Sequence, residues 1–204
     1  LRAVFGDVAF MSRFKECPAS PAAHHAYLGG LMEHTVGVTT LCVSLAGMHP
    51  QIDEDLLVTG ALLHDVGAVD SLHFETAIES TDVGRLLGHA HLSALRVRAA
   101  MEAAVVGVHP ERALALEHMI AAHHGDMGAA SGRAPSTLEA LCLAHADRLD
   151  AEVAGFIEIT TRASMVGESW TDAMNAFART LRVPVAATAV ASGTDEVSAP
   201  RRSA

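Results

Sequence analysis

The sequence predicts an all-α fold, a helical bundle formed by one domain. Half of the 204 residues are apolar but only 4% are aromatic, which favours helices packed closely through small aliphatic side chains. A chain of this length can bury a full core without disulfides. Apolar residues recur at helical spacing, and most Pro and Gly residues fall between the periodic segments. We expect the domain to cover residues 1–183 and residues 184–204 to form a disordered tail.

A short helix and a long core helix are predicted at the start of the chain. The short helix covers Val4–Lys15, after which Pro18 and Pro21 interrupt the backbone. From Ala22 to Ala46 apolar residues recur every three to four positions. This pattern predicts one long helix that Gly47 ends.

Capping residues define the next two helical regions. Asp53 is placed to cap a helix that ends at Gly67. Thr81 or Asp82 begins a further helical region, with a break near Gly88. Both starts have the short polar side chain that accepts hydrogen bonds from free backbone N–H groups.

Pro110 predicts the start of the following helix, which ends at the His123–His124 pair before Gly125. A loop rich in Gly, Ser and Ala then leads to Ser136 or Thr137, the predicted cap of a long helix. A last long element is expected over the region that contains Trp170 and Leu181.

Composition excludes several classes of function. The formal charge of -10 argues against a broad nucleic-acid-binding face. Cys17, Cys42 and Cys142 are too few and too far apart for a disulfide framework. No apolar run is seen to approach the roughly 20 residues of a membrane-spanning helix. We therefore expect a soluble cytoplasmic protein with no membrane partner.

The main chemical signal is the pair His64-Asp65, at the end of an apolar helix within GALLHDVG. Neighbours on a helix point about 100° apart, so both reach one ion only beyond the helix end or against a facing helix. Alone, such a pair is more often a capping or surface dipeptide. His34 in GGLMEHT and Asp147 in AHADRLDA add an imidazole and a carboxylate. The four together suit Mn, Fe, Zn or similar ions.

Three further histidines lie at helix ends or on apolar helix faces, namely His89 and the His123–His124 pair. With them, Asp65 could bridge two ions about 3.5–4 Å apart, the spacing of phosphoryl-cleaving two-metal sites. His91 lies two positions from His89 and faces another way on a helix. Five other histidines are predicted to be surface residues, namely His24, His49, His73, His109 and His118.

The ordered strings PAAHHAYLGGLMEHT, GALLHDVG, LLGHAHL, HHGD and LEALCLAHADRLDA resemble the HD-domain superfamily of metal-dependent phosphohydrolases. Within it they are most similar to the catalytic domain of YhaM-type 3'-5' exoribonucleases. The resemblance implies a first metal ion held by four residues, His34, His64, Asp65 and Asp147. It implies a second ion held by four, His89, His123, His124 and the bridging Asp65. The ions would be Mn, Fe, Zn, Ni or Mg, and Asp65 would also position the nucleophile.

The same resemblance implies phosphodiester hydrolysis on a nucleotide or short single-stranded RNA. His25 and Tyr27 of the HHAY string are expected to line the substrate cleft. Since residue 68 is Ala and not Lys, Arg148 or His25 is expected to contact phosphate. His145 and Asp150 are candidates to orient the metal ligands. In this branch an OB-fold domain normally precedes the HD domain, and this chain, which begins at Leu1, does not contain one.

Two departures from the family pattern keep other functions open. Ala68 stands where the family usually has a lysine, and DMGAASGRAP replaces an acidic segment followed by GSP. The first departure allows a regulatory domain that keeps metal and binds nucleotide without cleaving it. A second alternative is a di-iron oxygenase, since some HD domains with this ligand order activate oxygen. The sequence leaves a homo-oligomer open and does not identify the substrate.

Overall fold

A computed structural model describes residues 1–104, 107–125 and 133–184. Within these ranges the fold is helical with one two-stranded sheet, which confirms the all-α prediction. The helices are α1 (Arg2–Phe5), α2 (Val8–Glu16), α3 (Gly30–Met48), α4 (Glu54–Leu63), α5 (Ala68–Ser71), α6 (Asp82–Leu87), α7 (His89–Glu102), α8 (Pro110–Ala122) and α9 (Leu138–Met165). The strands are β1 (Leu72–His73) and β2 (Glu79–Ser80), which pair antiparallel.

The chain divides into two compact units, Leu1–Ile159 and Thr160–Ala204. In the first unit α3 packs on α4, and α7 packs on α8. In the second, residues 166–184 form turns and an isolated antiparallel bridge between Trp170 and Arg182. The helical element predicted around Trp170 is therefore wrong. A single domain over residues 1–183 stays a prediction, and the predicted tail beyond residue 184 lies outside the described residues, as does most of the DMGAASGRAP segment.

The N-terminal helix is interrupted because Asp7 caps a second helix inside the predicted one. The Asp7 carboxylate accepts hydrogen bonds from the backbone N–H groups of Ala9 (2.9 Å) and Phe10 (3.2 Å). This short side chain competes well with a continuous helix at such a position. The predicted helix over Val4–Lys15 is thus two helices, α1 and α2.

The long helix α3 begins at Gly30, eight residues later than the pattern predicts. Gly29 has a φ of 87° and His25 a φ of 48°, a region that a continuous right-handed helix cannot include. The first backbone N–H groups of α3 are also bonded elsewhere: Gly29 N–H donates to the Glu16 carbonyl (3.0 Å) and Leu31 N–H to the Cys17 carbonyl (2.9 Å). The end of α2 therefore fixes the start of α3.

The predicted caps are confirmed where a side chain acts on its own helix. Asp53 accepts a hydrogen bond from Leu56 N–H at 3.0 Å, and Thr81 accepts one from Gly84 N–H at 2.9 Å. Thr137 accepts one from Ala140 N–H at 3.2 Å at the start of α9. Gly88 separates α6 from α7 with a φ of 75°.

Two apolar clusters form the core of the first unit. One gathers residues of α1, α2, α5, α7 and α8 around Phe14, Val66 and Val97. The other joins α3, α4, α8 and α9 around Val38, Leu57 and Leu143. Among the described residues, only α3 is long and apolar enough to meet the threshold for a membrane span. The prediction that no apolar run approaches the length of a membrane span is therefore wrong. The buried face of α3 packs in the second apolar cluster.

Candidate metal centre

Five helices and the residues that follow two of them bring the candidate ligands together. His34 lies in the second turn of α3, and His64 and Asp65 follow the last turn of α4. His89 is the first residue of α7, the His123–His124 pair follows α8, and Asp147 lies in α9. The side chains of five of these residues are buried, namely His34, His64, Asp65, His123 and Asp147.

A first group surrounds His34. Its Nε2 atom lies 3.0 Å from Asp147 Oδ1 and 3.9 Å from Asp65 Oδ2. His64 Nε2 lies 3.3 Å from His34 Nε2 and 3.6 Å from Asp65 Oδ2. All four predicted residues thus direct a nitrogen or oxygen atom to one small region.

A second group surrounds His89. Its Nε2 atom lies 3.3 Å from Asp65 Oδ1 and 2.7 Å from His124 Nε2. His123 Nε2 lies 3.4 Å from the same Asp65 oxygen. His124 also approaches the first group, with its Nδ1 atom 3.6 Å from Asp147 Oδ2. The structure therefore brings together every residue predicted as a metal ligand.

Two buried atoms between the groups lack a hydrogen bond. Asp65 Oδ1 and His123 Nε2 are enclosed, and neither has a hydrogen-bond partner among the described residues. Buried polar atoms are nearly always satisfied in native proteins, so an exception needs an explanation. A cation between them would satisfy both, since each atom can supply a lone pair. The donor set fits a divalent metal ion.

Backbone carbonyls orient two of the imidazoles. His64 Nδ1 lies 2.7 Å from the Ala61 carbonyl oxygen, and His123 Nδ1 lies 2.6 Å from the Ile120 carbonyl oxygen. A carbonyl accepts a hydrogen bond from Nδ1–H, which leaves Nε2 of the neutral ring with a free lone pair. Both rings thus present Nε2 to the centre as metal ligands do.

The charges of the cluster perturb the pKa values of its members. Burial would lower the pKa of His34, but hydrogen bonds to Asp147 and Asp150 raise it to about 10. Burial would raise the pKa of Asp147, but the His34 hydrogen bond and the nearby His123 lower it to about 2. Burial lowers the pKa of His64, and burial followed by the charge of His123 lowers that of His124 to about 4. Strong perturbation of clustered groups is typical of functional sites.

The residues predicted to bind substrate lie in different surroundings. Tyr27 is 46% exposed, while the His25 side chain is buried beneath it. Both line a cavity of about 420 Å³ together with Glu33 and Asp150. Arg148 pairs with Glu152 on the exposed face of α9, at 2.7 Å. The structure thus places His25 and Tyr27 in a cavity and Arg148 on the surface.

Two positions differ from what the sequence suggested. His24 is half-buried, and its ring centroid lies 5.0 Å from that of His34, so the prediction of a surface residue is wrong there. The preceding loop explains this, since the Ser20 hydroxyl donates to the His24 carbonyl at 2.7 Å. The prediction held for His49, His73 and His109, which are exposed, whereas His118 is half-buried and accepts a hydrogen bond from Ser136 N–H.

The HD domain family matches residues 31–152, the segment that contains every candidate ligand. The chain belongs to the HD domain family. This membership confirms the expected resemblance to the HD-domain superfamily.

The chain is also similar to individual bacterial proteins. The chain is 35% identical over 140 residues to "3'-5' exoribonuclease YhaM" of Bacillus licheniformis, covering 69% of this chain and 44% of that protein. It is 34% identical over 142 residues to the protein of the same name from Bacillus subtilis, covering 70% of this chain and 45% of the relative. The chain thus spans less than half the length of these relatives. No solved structure matches it significantly.

Proposed function

We propose that this chain is a binuclear phosphodiesterase domain that releases nucleotides from the 3' end of short single-stranded RNA. The position of Asp65 is the observation that carries the proposal. One of its oxygens faces His34 and His64, and the other faces His89 and His123, at distances of 3.3–3.9 Å. The similarity to proteins named 3'-5' exoribonuclease supplies the substrate class.

The proposed ligands follow the two groups. His34, His64, Asp65 and Asp147 would hold one ion, and His89, His123, His124 with Asp65 would hold the other. Imidazole and carboxylate donors suit Mn, Fe, Zn or Ni, with Mg the least favoured by so many nitrogens. When bound, such a pair lowers the pKa of water and neutralises charge on phosphate oxygens. Asp65 belongs to both groups and would fix the position of one group relative to the other.

Two separate substrate contacts are proposed, one at the cavity and one on the surface of α9. Tyr27 exposes its ring at the cavity, where a nucleobase could stack. Glu33 and Asp150 line the same cavity, so it disfavours a phosphate group. Arg148 is the proposed phosphate contact and would exchange its partner Glu152 for the substrate. We expect the chain alone to bind RNA weakly because its net charge is -10.

The test is hydrolysis of a 5'-labelled RNA oligonucleotide by the chain loaded with manganese. We expect mononucleotides and a ladder that shortens from the 3' end. Asp65→Ala should lower the rate by at least about 10²–10³-fold, the cost of losing one key charge-stabilising group. Asp55→Ala removes an exposed carboxylate of α4 and should leave the rate unchanged.

Other outcomes point to the alternatives. A chain that binds two ions but cleaves neither RNA nor a generic phosphodiester would be a regulatory nucleotide-binding domain. A chain that consumes oxygen with a small substrate only when loaded with iron would be an oxygenase. Either result contradicts the proposed hydrolysis.

A further inference from the structure

His34 is held from the side away from Asp65 and Asp147. Its Nδ1 atom lies 2.7 Å from Asp150 Oδ2, while its Nε2 atom lies 3.0 Å from Asp147 Oδ1. Since the two nitrogens lie on opposite edges of the ring, Asp150 and Asp147 contact it from opposite sides. Asp150 therefore lies behind the proposed ligand, not beside the proposed ion.

Asp150 is itself fixed by a chain of hydrogen bonds that reaches the surface. The Asp150 oxygen that contacts His34 also lies 3.0 Å from His25 Nε2. The other nitrogen of His25 lies 2.9 Å from the Tyr27 hydroxyl, which donates to the Glu33 carboxylate at 2.8 Å. His25 is buried and Asp150 is half-buried, so two imidazoles hold this carboxylate oxygen.

Two glycines on the same face of α3 make room for this arrangement. Gly30, His34 and Gly37 are spaced four and three residues apart, so they lie above one another on the helix. A Cβ atom at Gly37 would lie 2.1 Å from Asp150 Oδ1, and one at Gly30 would lie 2.0 Å from the His25 carbonyl oxygen. Both distances are far inside van der Waals contact. Asp150 and His25 can therefore approach His34 only because these positions lack side chains.

We propose that Asp150 is the residue that positions His34 for metal binding, by accepting a hydrogen bond from Nδ1–H and so directing a free Nε2 to the centre. The inference rests on the metal centre of the proposed function. A carboxylate behind a ligating histidine fixes the tautomer and ring orientation and strengthens the ligand. His64 and His123 receive this support from backbone carbonyls. His34 depends instead on a side chain that substitution can remove.

The first experiment removes the contact in two independent ways. Asp150→Ala deletes the acceptor, and Gly37→Ala displaces it without changing either partner. Matched controls are Glu152→Ala, an exposed carboxylate on the same helix, and Gly47→Ala, whose added Cβ meets no atom within 4 Å. Zinc binding by calorimetry should show a loss of about 10- to 100-fold in affinity at one site in both test variants, while both controls match wild type.

A second measurement separates positioning from a general loss of structure. In zinc-loaded wild type, proton NMR should show a slowly exchanging imidazole N–H from His34 Nδ1. This signal should disappear in Asp150→Ala and Gly37→Ala while the other ligand N–H signals and the cooperative thermal unfolding remain. Asp150→Asn keeps an acceptor oxygen and should recover part of the zinc affinity that Asp150→Ala loses. A merely structural role of Asp150 would not require this recovery.

The outcomes distinguish the inference from the proposed function. If wild type binds two zinc ions and both test variants bind them with unchanged affinity, Asp150 does not position His34, and the metal centre stands. If both variants keep the His34 N–H signal, the inference is equally overturned. A wild-type chain that binds no divalent ion would overturn the proposed function and this inference together.

Discussion

At the scale of single residues, Asp65 shows why a carboxylate is needed between the two histidine groups. It offers two oxygens on one short stem, each facing a different group. A longer side chain would gain rotamers and lose this fixed placement, and an amide would replace one oxygen with a hydrogen-bond donor. Its backbone carbonyl accepts from Ala68 N–H at 2.9 Å, which anchors the turn that carries it.

Ala68 lies in the apolar core, although it is only three residues from Asp65. It is 1% exposed and belongs to the apolar cluster that also contains Val66, Val69 and Leu72. The HD-domain strings that the sequence resembles usually have a lysine at this position. In this chain the position is packed as core. Apolar side chains therefore pack around the position where the family pattern has the lysine.

Ala68→Lys should therefore destabilise the fold and not restore a phosphate contact. The added side chain must push apart a packed cluster, and its charge must reach water, which together cost about 1–3 kcal/mol. Urea denaturation of the metal-free protein measures this cost. Ala99→Lys, at an exposed position of α7, serves as the control and should change the free energy of unfolding by less than about 0.5 kcal/mol. A variant as stable as wild type with faster hydrolysis would show that the lysine reaches the substrate.

At the scale of elements, Gly67 sets how closely the turn after α4 meets α7. A Cβ added there would lie 2.3 Å from Ser93 N and 2.4 Å from the His89 carbonyl oxygen. Gly67 N–H also donates to the Ser93 hydroxyl at 2.8 Å. These neighbours include backbone atoms of a helix and cannot rotate away. The approach of Asp65 to His89 therefore depends on this glycine.

Gly67→Ala is expected to separate α7 from the turn and weaken the second ion more than the first. The fold should lose about 1–3 kcal/mol, as overpacked sites do. Gly60→Ala is the comparison, because its added Cβ would meet mainly the terminal methyl of Met119 at 2.4 Å, which can move. Metal titration and thermal unfolding of both variants test this. Equal losses in the two variants, or loss of the first ion alone, would contradict the argument.

Several helix starts could be predicted from the sequence because their causes are local, although the equally local cap at Asp7 was missed. The caps at Asp53, Thr81 and Thr137 act within one helical turn, so the residue type was sufficient. The loop before α3 could not be predicted this way, because backbone groups at the end of α2 hold it. The half-buried position of His24 was missed as well, because it depends on the conformation of this loop, where the Ser20 hydroxyl donates to the His24 carbonyl.

The candidate site shows the same division. The ordered HD motifs predicted which residues cluster as ligands, because each ligand lies within a short recognisable string. The contact between Asp150 and His34 joins residues 116 positions apart. The sequence offered Asp150, like His145, as a candidate to orient the ligands, but it did not indicate that the ligand is His34. The nearest sequence signal was the pair of glycines on the face of α3 that carries His34, and their purpose became clear only with α9 in place.

At the scale of the whole molecule, a rise in pH lowers the stability of the metal-free protein and raises its affinity for metal. The pKa of His34 is raised from 6.5 to about 10 by its hydrogen bonds to Asp147 and Asp150, which outweigh burial. A raised pKa means that the folded state holds this proton more tightly than the unfolded state. Its stabilising contribution is complete below pH 6.5 and is lost as pH rises through about 10. The depressed pKa of Asp147, about 2, contributes above 3.8 and is lost only in acid.

Metal-free protein should therefore become less stable as pH rises from 6.5 towards 10, while metal binding becomes tighter over the same range. The ion needs the unprotonated Nε2 of His34, so it competes with the proton that stabilises the empty fold. Thermal unfolding with EDTA and with saturating zinc, at several pH values, measures both effects. The stabilisation by zinc should grow with pH, and His34→Gln should flatten the decline of the metal-free protein. A metal-free stability that stays constant across this range would show that the His34 proton is not held by Asp147 and Asp150.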